Sequence, residues 1–156
     1  MSYKIESYTR EELELFPNDE YGYVKQRVWS TGQITSLEYF DRNFVKVYLI
    51  RDENLKIIAF SCEKIPRYEG FDFEWGYSYV EPTYRGTRCY FKLCKYKRDE
   101  ARQQGLIGYT ICLKSQPATV KCGKILCDIK IDNPLHLGET ESSFDNENLE
   151  FWGMML

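Results

Sequence analysis

Val80-Glu81-Pro82-Thr83-Tyr84-Arg85-Gly86 ends an apolar stretch at a proline and passes through Arg-Gly into a segment with helical spacing. A strand-to-helix turn of this kind favours negative charge. Gly86 lets the backbone turn tightly, and the unpaired N–H groups of the first helical turn, Thr87 to Tyr90, converge at the positive end of the helix dipole. Arg85 and Arg88 flank that point. The same residues also describe an ordinary turn carrying two solvated arginines, so the neighbouring segments decide between the two readings.

Upstream, Phe73, Trp75, Tyr77 and Tyr79 alternate with Asp72, Glu74, Gly76, Ser78 and Val80. A period of two predicts a strand over 71–80, with four aromatics on one face and a small or acidic second face that leaves space for a ligand. Downstream, Cys89, Tyr90, Leu93, Cys94 and Ala101 recur at helical spacing. A helix is expected over 88–104, with Lys92, Lys95 and Arg98 outward and Gly105 as its C-terminal cap.

Farther out, Val45 to Arg51 and Leu55 to Ser61 flank the polar turn Asp52-Glu53-Asn54 and read as a hairpin. Tyr3 to Tyr8 reads as a short strand. Thr9 with Glu12 forms a capping box for a helix that starts at Arg10 and stops near Pro17, and a second helix is expected from about Glu20 to Ser30. Beyond Gly105, Leu106 to Leu113 and Ile125 to Ile131 read as strands, and Ser115 to Lys121 as a loop or short helix begun near Pro117. Leu149 to Leu156 can close the sheet. Its apolar end, Phe151 to Leu156, can instead form a contact between two copies of the chain, a homodimer.

The chain has 156 residues, enough for one domain that buries roughly two-thirds of its unfolded surface. The 16% aromatic content, with 13 tyrosines, belongs to a globular protein. No run reaches membrane-spanning length and Met1 to Arg10 lacks a signal-peptide pattern, so a cytoplasmic protein without a membrane association is expected. The six cysteines are then expected as thiols. Cys89/Cys94 and Cys122/Cys127 lack zinc-clasp spacing, so no metal is expected, and His136 reads as a surface residue of a polar loop. The net charge of −3 is uneven: residues 82–130 hold 11 Lys/Arg against 3 Asp/Glu. A basic segment inside an acidic chain suits one phosphate-bearing ligand, and the acidic total counts against nucleic acid as a partner.

The hairpin, the strand ending in Val-x-Pro-x-Tyr-Arg-Gly, the long helix ending in glycine, the following strand and the terminal apolar strand together resemble the GNAT superfamily of N-acetyltransferases. That resemblance implies a single α/β (α+β) domain over residues 1–156, with helices flanking a mixed, mostly antiparallel sheet. The sheet would splay at the 71–80 strand and hold acetyl-coenzyme A as acyl donor, with its pyrophosphate on the turn. Tyr79, Val80, Arg85, Gly86, Thr87, Arg88, Cys89 and Tyr90 are the candidate cofactor-binding residues. The family's turn, Arg/Gln-x-x-Gly-x-Gly/Ala, has small residues where this chain has Arg88 and Tyr90. A tyrosine there obstructs the phosphates unless it turns into the core, whereas Arg88 can add contacts to them.

For amine acetylation, Glu74 is the candidate base, on the non-aromatic face of the cleft strand, with Asp72 in reserve. Aligning Ser115-Gln116-Pro117-Ala118 with the family's Asn-x-x-Ala segment places Cys122 where members often carry a proton-donating tyrosine. Three readings stand: an acetyl-coenzyme A-dependent N-acetyltransferase acting on an amine of a small molecule or protein, a catalytically silent protein-binding module of the same fold, and an enzyme of different chemistry such as nucleic-acid base modification.

Overall fold

The computed structural model describes residues 4–113, 115–131 and 149–155. Tyr3, His136, the loop residues 134–148 and Leu156 lie outside the described residues. The elements, in chain order, are β1 (Ile5–Thr9), α1 (Arg10–Leu13), α2 (Glu20–Ser30), α3 (Leu37–Asn43), β2 (Phe44–Arg51), β3 (Ile57–Lys64) and β4 (Phe73–Val80). They continue with a single 3-10 turn at Pro82–Tyr84, then α4 (Cys89–Gln103), β5 (Gly108–Leu113), α5 (Pro117–Leu126), β6 (Ile129–Ile131) and β7 (Leu149–Gly153).

Local chemistry sets most boundaries. Thr9 Oγ1 accepts from Glu12 N at 3.3 Å and Glu12 Oε1 accepts from Thr9 N at 3.0 Å, the reciprocal cap that starts α1. Asp19 caps α2 through Gly22 N at 3.1 Å. Asp52 Oδ1 accepts from Asn54 N at 2.8 Å and Lys56 N at 3.0 Å, folding the turn between β2 and β3. Gly105, at φ +69°, ends α4 with Leu106 N bonded to Ala101 O and Gly105 N to Arg102 O, the paired bonds that satisfy the last helical carbonyls.

One expectation is corrected and one helix is added. The apolar stretch at Ile125 is the end of α5, not a strand: Cys122 and Leu126, four apart, are both buried on one helix face, and only Ile129–Ile131 is extended. Helix α3 has no counterpart in the sequence reading, although Ser36 Oγ accepts from Tyr39 N and Phe40 is fully buried.

The strands form one seven-stranded sheet in the order β1-β2-β3-β4-β5-β7-β6, antiparallel except for β4 with β5. Helices α2 and α3 cover one face, where Val24, Val28 and Phe40 meet Val47, Leu49, Phe60 and Cys62. Helices α4 and α5 cover the other, where Leu93 meets Tyr48 and Ile50, and Cys94 and Cys122 meet Phe73 and Trp75. All six cysteines are free thiols. Among the described residues no helix is long and apolar enough to cross a membrane.

Candidate functional site

Strands β4 and β5 pair only at Phe73–Gly108, Glu74–Tyr109 and Trp75–Thr110. Beyond those three pairs the strands diverge, and the opening is a cavity of about 840 Å³ reaching from Lys64, Arg67 and Glu74 at one end to Tyr84–Thr87 at the other. A second irregularity shapes its wall. The β3–β4 register jumps from Phe60–Tyr79 to Cys62–Gly76, so Tyr77 and Ser78 together oppose Ser61, and Tyr77 takes the left-handed φ of +54°. This β-bulge inserts one residue and inverts the alternation. Phe73 and Trp75 pack toward α4 and α5, whereas Tyr77 and Tyr79 pack toward α2 and α3. The expected single face of four aromatics is therefore split in two.

Past the bulge, Glu81 N donates to Ile58 O at 2.8 Å, so alternate residues turn their main chain to β3 while Ser78 and Val80 turn theirs to the opening. Both meet side chains there. Gln33 Nε2 donates to Ser78 O at 2.9 Å and Gln33 Oε1 accepts from Ser78 N at 3.1 Å, while Arg85 Nε donates to Val80 O at 3.0 Å.

At the far end, Gly86 holds φ +86°, and a Cβ placed on it meets no atom within 4 Å. The helix begins later than the spacing suggests. Thr87 belongs to the turn, with its N and Oγ1 both bonded to Tyr84 O, Arg88 is the N-cap and no side chain caps α4. The first-turn amides of a 15-residue helix therefore open on this end of the cavity. Arg85, Gly86, Thr87 and Arg88 are exposed, Cys89 is buried under the turn with Thr87 Oγ1 at 3.2 Å from its Sγ, and Tyr79 is half-buried with the Arg85 guanidinium 5.6 Å from its ring centroid. Tyr90 turns inward, against the core, and its hydroxyl donates to Ser78 Oγ at 3.1 Å. It leaves the helix end clear, the condition under which a tyrosine at this position is compatible with an anion.

The catalytic candidates occupy three different settings. Glu74 lines the cavity and is 1% exposed. Its carboxylate accepts from Arg67 Nε and Nη2 at 2.9 Å each, from Tyr109 OH at 2.6 Å and from Lys64 Nζ. Burial alone would raise this carboxyl, but the Lys64 charge and the Arg67 hydrogen bonds hold it down at about 2. Asp72 is exposed and outside the cavity wall; its carboxylate accepts from Ile107 N at 2.8 Å and fixes the chain entering β5. Cys122 lines the cavity from α5, and the hydrogen bond its thiol donates to Cys94, with burial, pushes that thiol well above the ordinary range.

Structural comparison places this geometry among known folds. An acetyltransferase of the GNAT family from Staphylococcus aureus superposes with a TM-score of 0.64 at 13% identity, over 99% of this chain and 100% of that one. An acyl-CoA N-acyltransferase from Pseudomonas aeruginosa gives 0.66 at 12% identity, over 99% and 100%. The chain has the GNAT fold. A NatC complex bound to a Gag peptide and CoA gives 0.67 at 14% identity, over 98% of this chain and 99% of that one. No protein-family model matches the sequence, and a search of curated proteins finds no match.

Within the GNAT frame, the opened β4–β5 pair and the Gly86 turn are the parts that the sequence foresaw. Gln33, Lys64 and Arg67 also line the cavity and were missed, as was Tyr109, which bonds to Glu74 from β5. Arg67 follows Pro66 in a segment of no regular pattern, and Gln33 lies in the loop after α2; the spacing of neither marks it.

Proposed function

We propose that the protein is a coenzyme A-dependent N-acyltransferase, with acetyl-coenzyme A as donor and a primary amine of a small molecule or protein as acceptor. One observation carries this reading: the uncapped N-terminus of α4 and the open Gly86 turn adjoin a cavity toward which β4 turns the main chain of Ser78 and Val80, held there by the side chains of Gln33 and Arg85 and, among the described residues, by no neighbouring strand. The α4 amides, with Arg85 and Arg88, suit the donor's pyrophosphate. When bound, acetyl-coenzyme A supplies an acyl group already activated as a thioester.

This chain's residues supply the rest. Among the described residues that line that end of the cavity, Lys64 and Arg67 stand beside one carboxylate, Glu74, and together carry net positive charge. Positive charge favours the neutral, nucleophilic form of an amine. With its carboxyl held at about 2, Glu74 is a poor proton acceptor near neutrality, and its role in this reading is to hold Lys64, Arg67 and Tyr109 in place. Similarity to the solved structures supports the fold of such an enzyme, and the NatC complex with CoA and a peptide gives precedent for a donor and an amine-bearing chain on that fold. Calorimetric titration with acetyl-coenzyme A, followed by an acceptor screen that detects released thiol, tests the reading; a protein that binds no donor is the silent module instead.

A further inference from the structure

Lys97 lies on the core face of α4, three residues beyond Cys94, and is 1% exposed. Its Nζ donates to Ser61 Oγ on β3 and stands 5.6 Å from the Trp75 ring centroid, and among the described residues no carboxylate comes within ion-pair distance of it. Glu63, the buried carboxylate on the same strand, is engaged instead by Tyr48 OH at 3.0 Å, Trp75 Nε1 at 3.3 Å and Lys46 Nζ at 4.0 Å. An amine buried without a counter-ion is costly, and folds retain such groups where their proton is used.

A hydrogen-bonded chain leads from this amine to the cavity. Ser61 Oγ is 2.9 Å from Ser78 Oγ, either atom able to donate, and Tyr90 OH donates to Ser78 Oγ at 3.1 Å. Ser78 and Tyr90 both line the cavity; Ser61 is fully buried behind them.

Resting on the acyltransferase reading, we propose that Tyr90, Ser78, Ser61 and Lys97 form a proton relay between the reacting groups and a buried amine store. As the acceptor nitrogen bonds to the thioester carbonyl carbon, it yields a proton to Tyr90 Oη. Tyr90 passes its own proton to Ser78, Ser78 to Ser61 and Ser61 to the neutral Nζ of Lys97. When the carbon–sulfur bond breaks, the ammonium returns a proton along the same oxygens to the departing thiolate. The products are an N-acyl amine and a free thiol, and Lys97 ends neutral, so no co-reactant is needed.

The surroundings of Lys97 permit this cycle. Burial holds its pKa below the ordinary lysine range, opposed by Cys94 on its own helix, Glu63 and Cys62 on β3, and Cys127 after α5; the Cys112 and Cys122 thiols of β5 and α5 also face it. Lowering a lysine pKa populates the neutral form that can accept a proton.

The test compares wild type with Lys97→Met and Lys97→Arg for acetyl-coenzyme A affinity, turnover and the pH dependence of kcat. Expected are unchanged donor Kd, kcat lowered by about 100-fold in both variants, and loss of the pH-rate limb that belongs to Lys97. Arginine retains charge but does not release its proton, so a loss in Lys97→Arg separates relay from electrostatics. Wild-type kcat and pH profile in Lys97→Met overturn the relay alone, whereas a wild-type protein that binds no donor overturns the relay and the acyltransferase reading together. Should Lys97→Met not fold, Ser61→Ala cuts the chain at its middle, with the same loss expected and unchanged kcat overturning the proposal.

Discussion

The side-chain amide of Gln33 pairs with the main chain of Ser78 through two hydrogen bonds, 2.9 Å to the carbonyl oxygen and 3.1 Å from the amide, as a neighbouring strand would. A loop residue thereby occupies the edge of β4 at the bulge. Any ligand main chain laid along that edge exchanges these bonds for its own. Gln33→Ala is expected to tighten acetyl-coenzyme A binding about fivefold, the worth of one net hydrogen bond. Calorimetry reads the change, and a weakened Kd would show that Gln33 belongs to the binding surface.

Glu74 makes stability depend on acid. Its folded pKa of about 2 lies below the ordinary 4.5, so its contribution is fully present above about pH 4.5 and is lost as pH falls toward 2. The shift corresponds to a contribution on the order of 3 kcal/mol. Glu74→Gln is expected to lower stability at pH 7 by about that amount, because Lys64 and Arg67 lose their shared partner. It should also flatten the stability curve between about pH 5 and 2. Urea unfolding across that range decides it, and parallel curves for the two proteins would contradict the assignment.

At the turn, backbone and charge separate cleanly. Gly86→Val places a β-branched residue at φ +86° and is expected to cost about 1–2 kcal/mol of stability, although its side chain meets open space. Gly86→Asn should cost less, since asparagine tolerates the left-handed region. Denaturation midpoints rank the two.

Arg88→Ala is expected to leave stability within about 0.5 kcal/mol, since the side chain is exposed, yet to weaken acetyl-coenzyme A binding about tenfold and to reduce its salt dependence. Equal affinity and equal salt dependence in the variant would remove Arg88 from the donor site.

What was legible in the sequence was written in neighbouring residues. Thr9 with Glu12, the Asp52 turn and Gly105 each act on backbone within a few positions, and each does what its residue type dictates. The Gly86 turn was legible for the same reason. The sidedness of β4 was not, because a period of two has no mark for the extra residue that the bulge inserts at Tyr77. The partners of Glu74 were also hidden: Lys64, Arg67 and Tyr109 come from β3, the following loop and β5, and only the assembled sheet brings three donors to one carboxylate. Lys97 looks like one more lysine in a basic helix until packing shows that it faces inward. The stretch at Ile125 misled because a short apolar run fits helix and strand alike.

The most direct test of the donor site is calorimetric titration of the purified protein with acetyl-coenzyme A, alongside a truncated pantetheine thioester that lacks the pyrophosphate. Micromolar binding of acetyl-coenzyme A, at least tenfold weaker for the truncated thioester, is the expected result. Equal affinity for the two, or no binding of either, would contradict a donor site at the Gly86 turn and the N-terminus of α4.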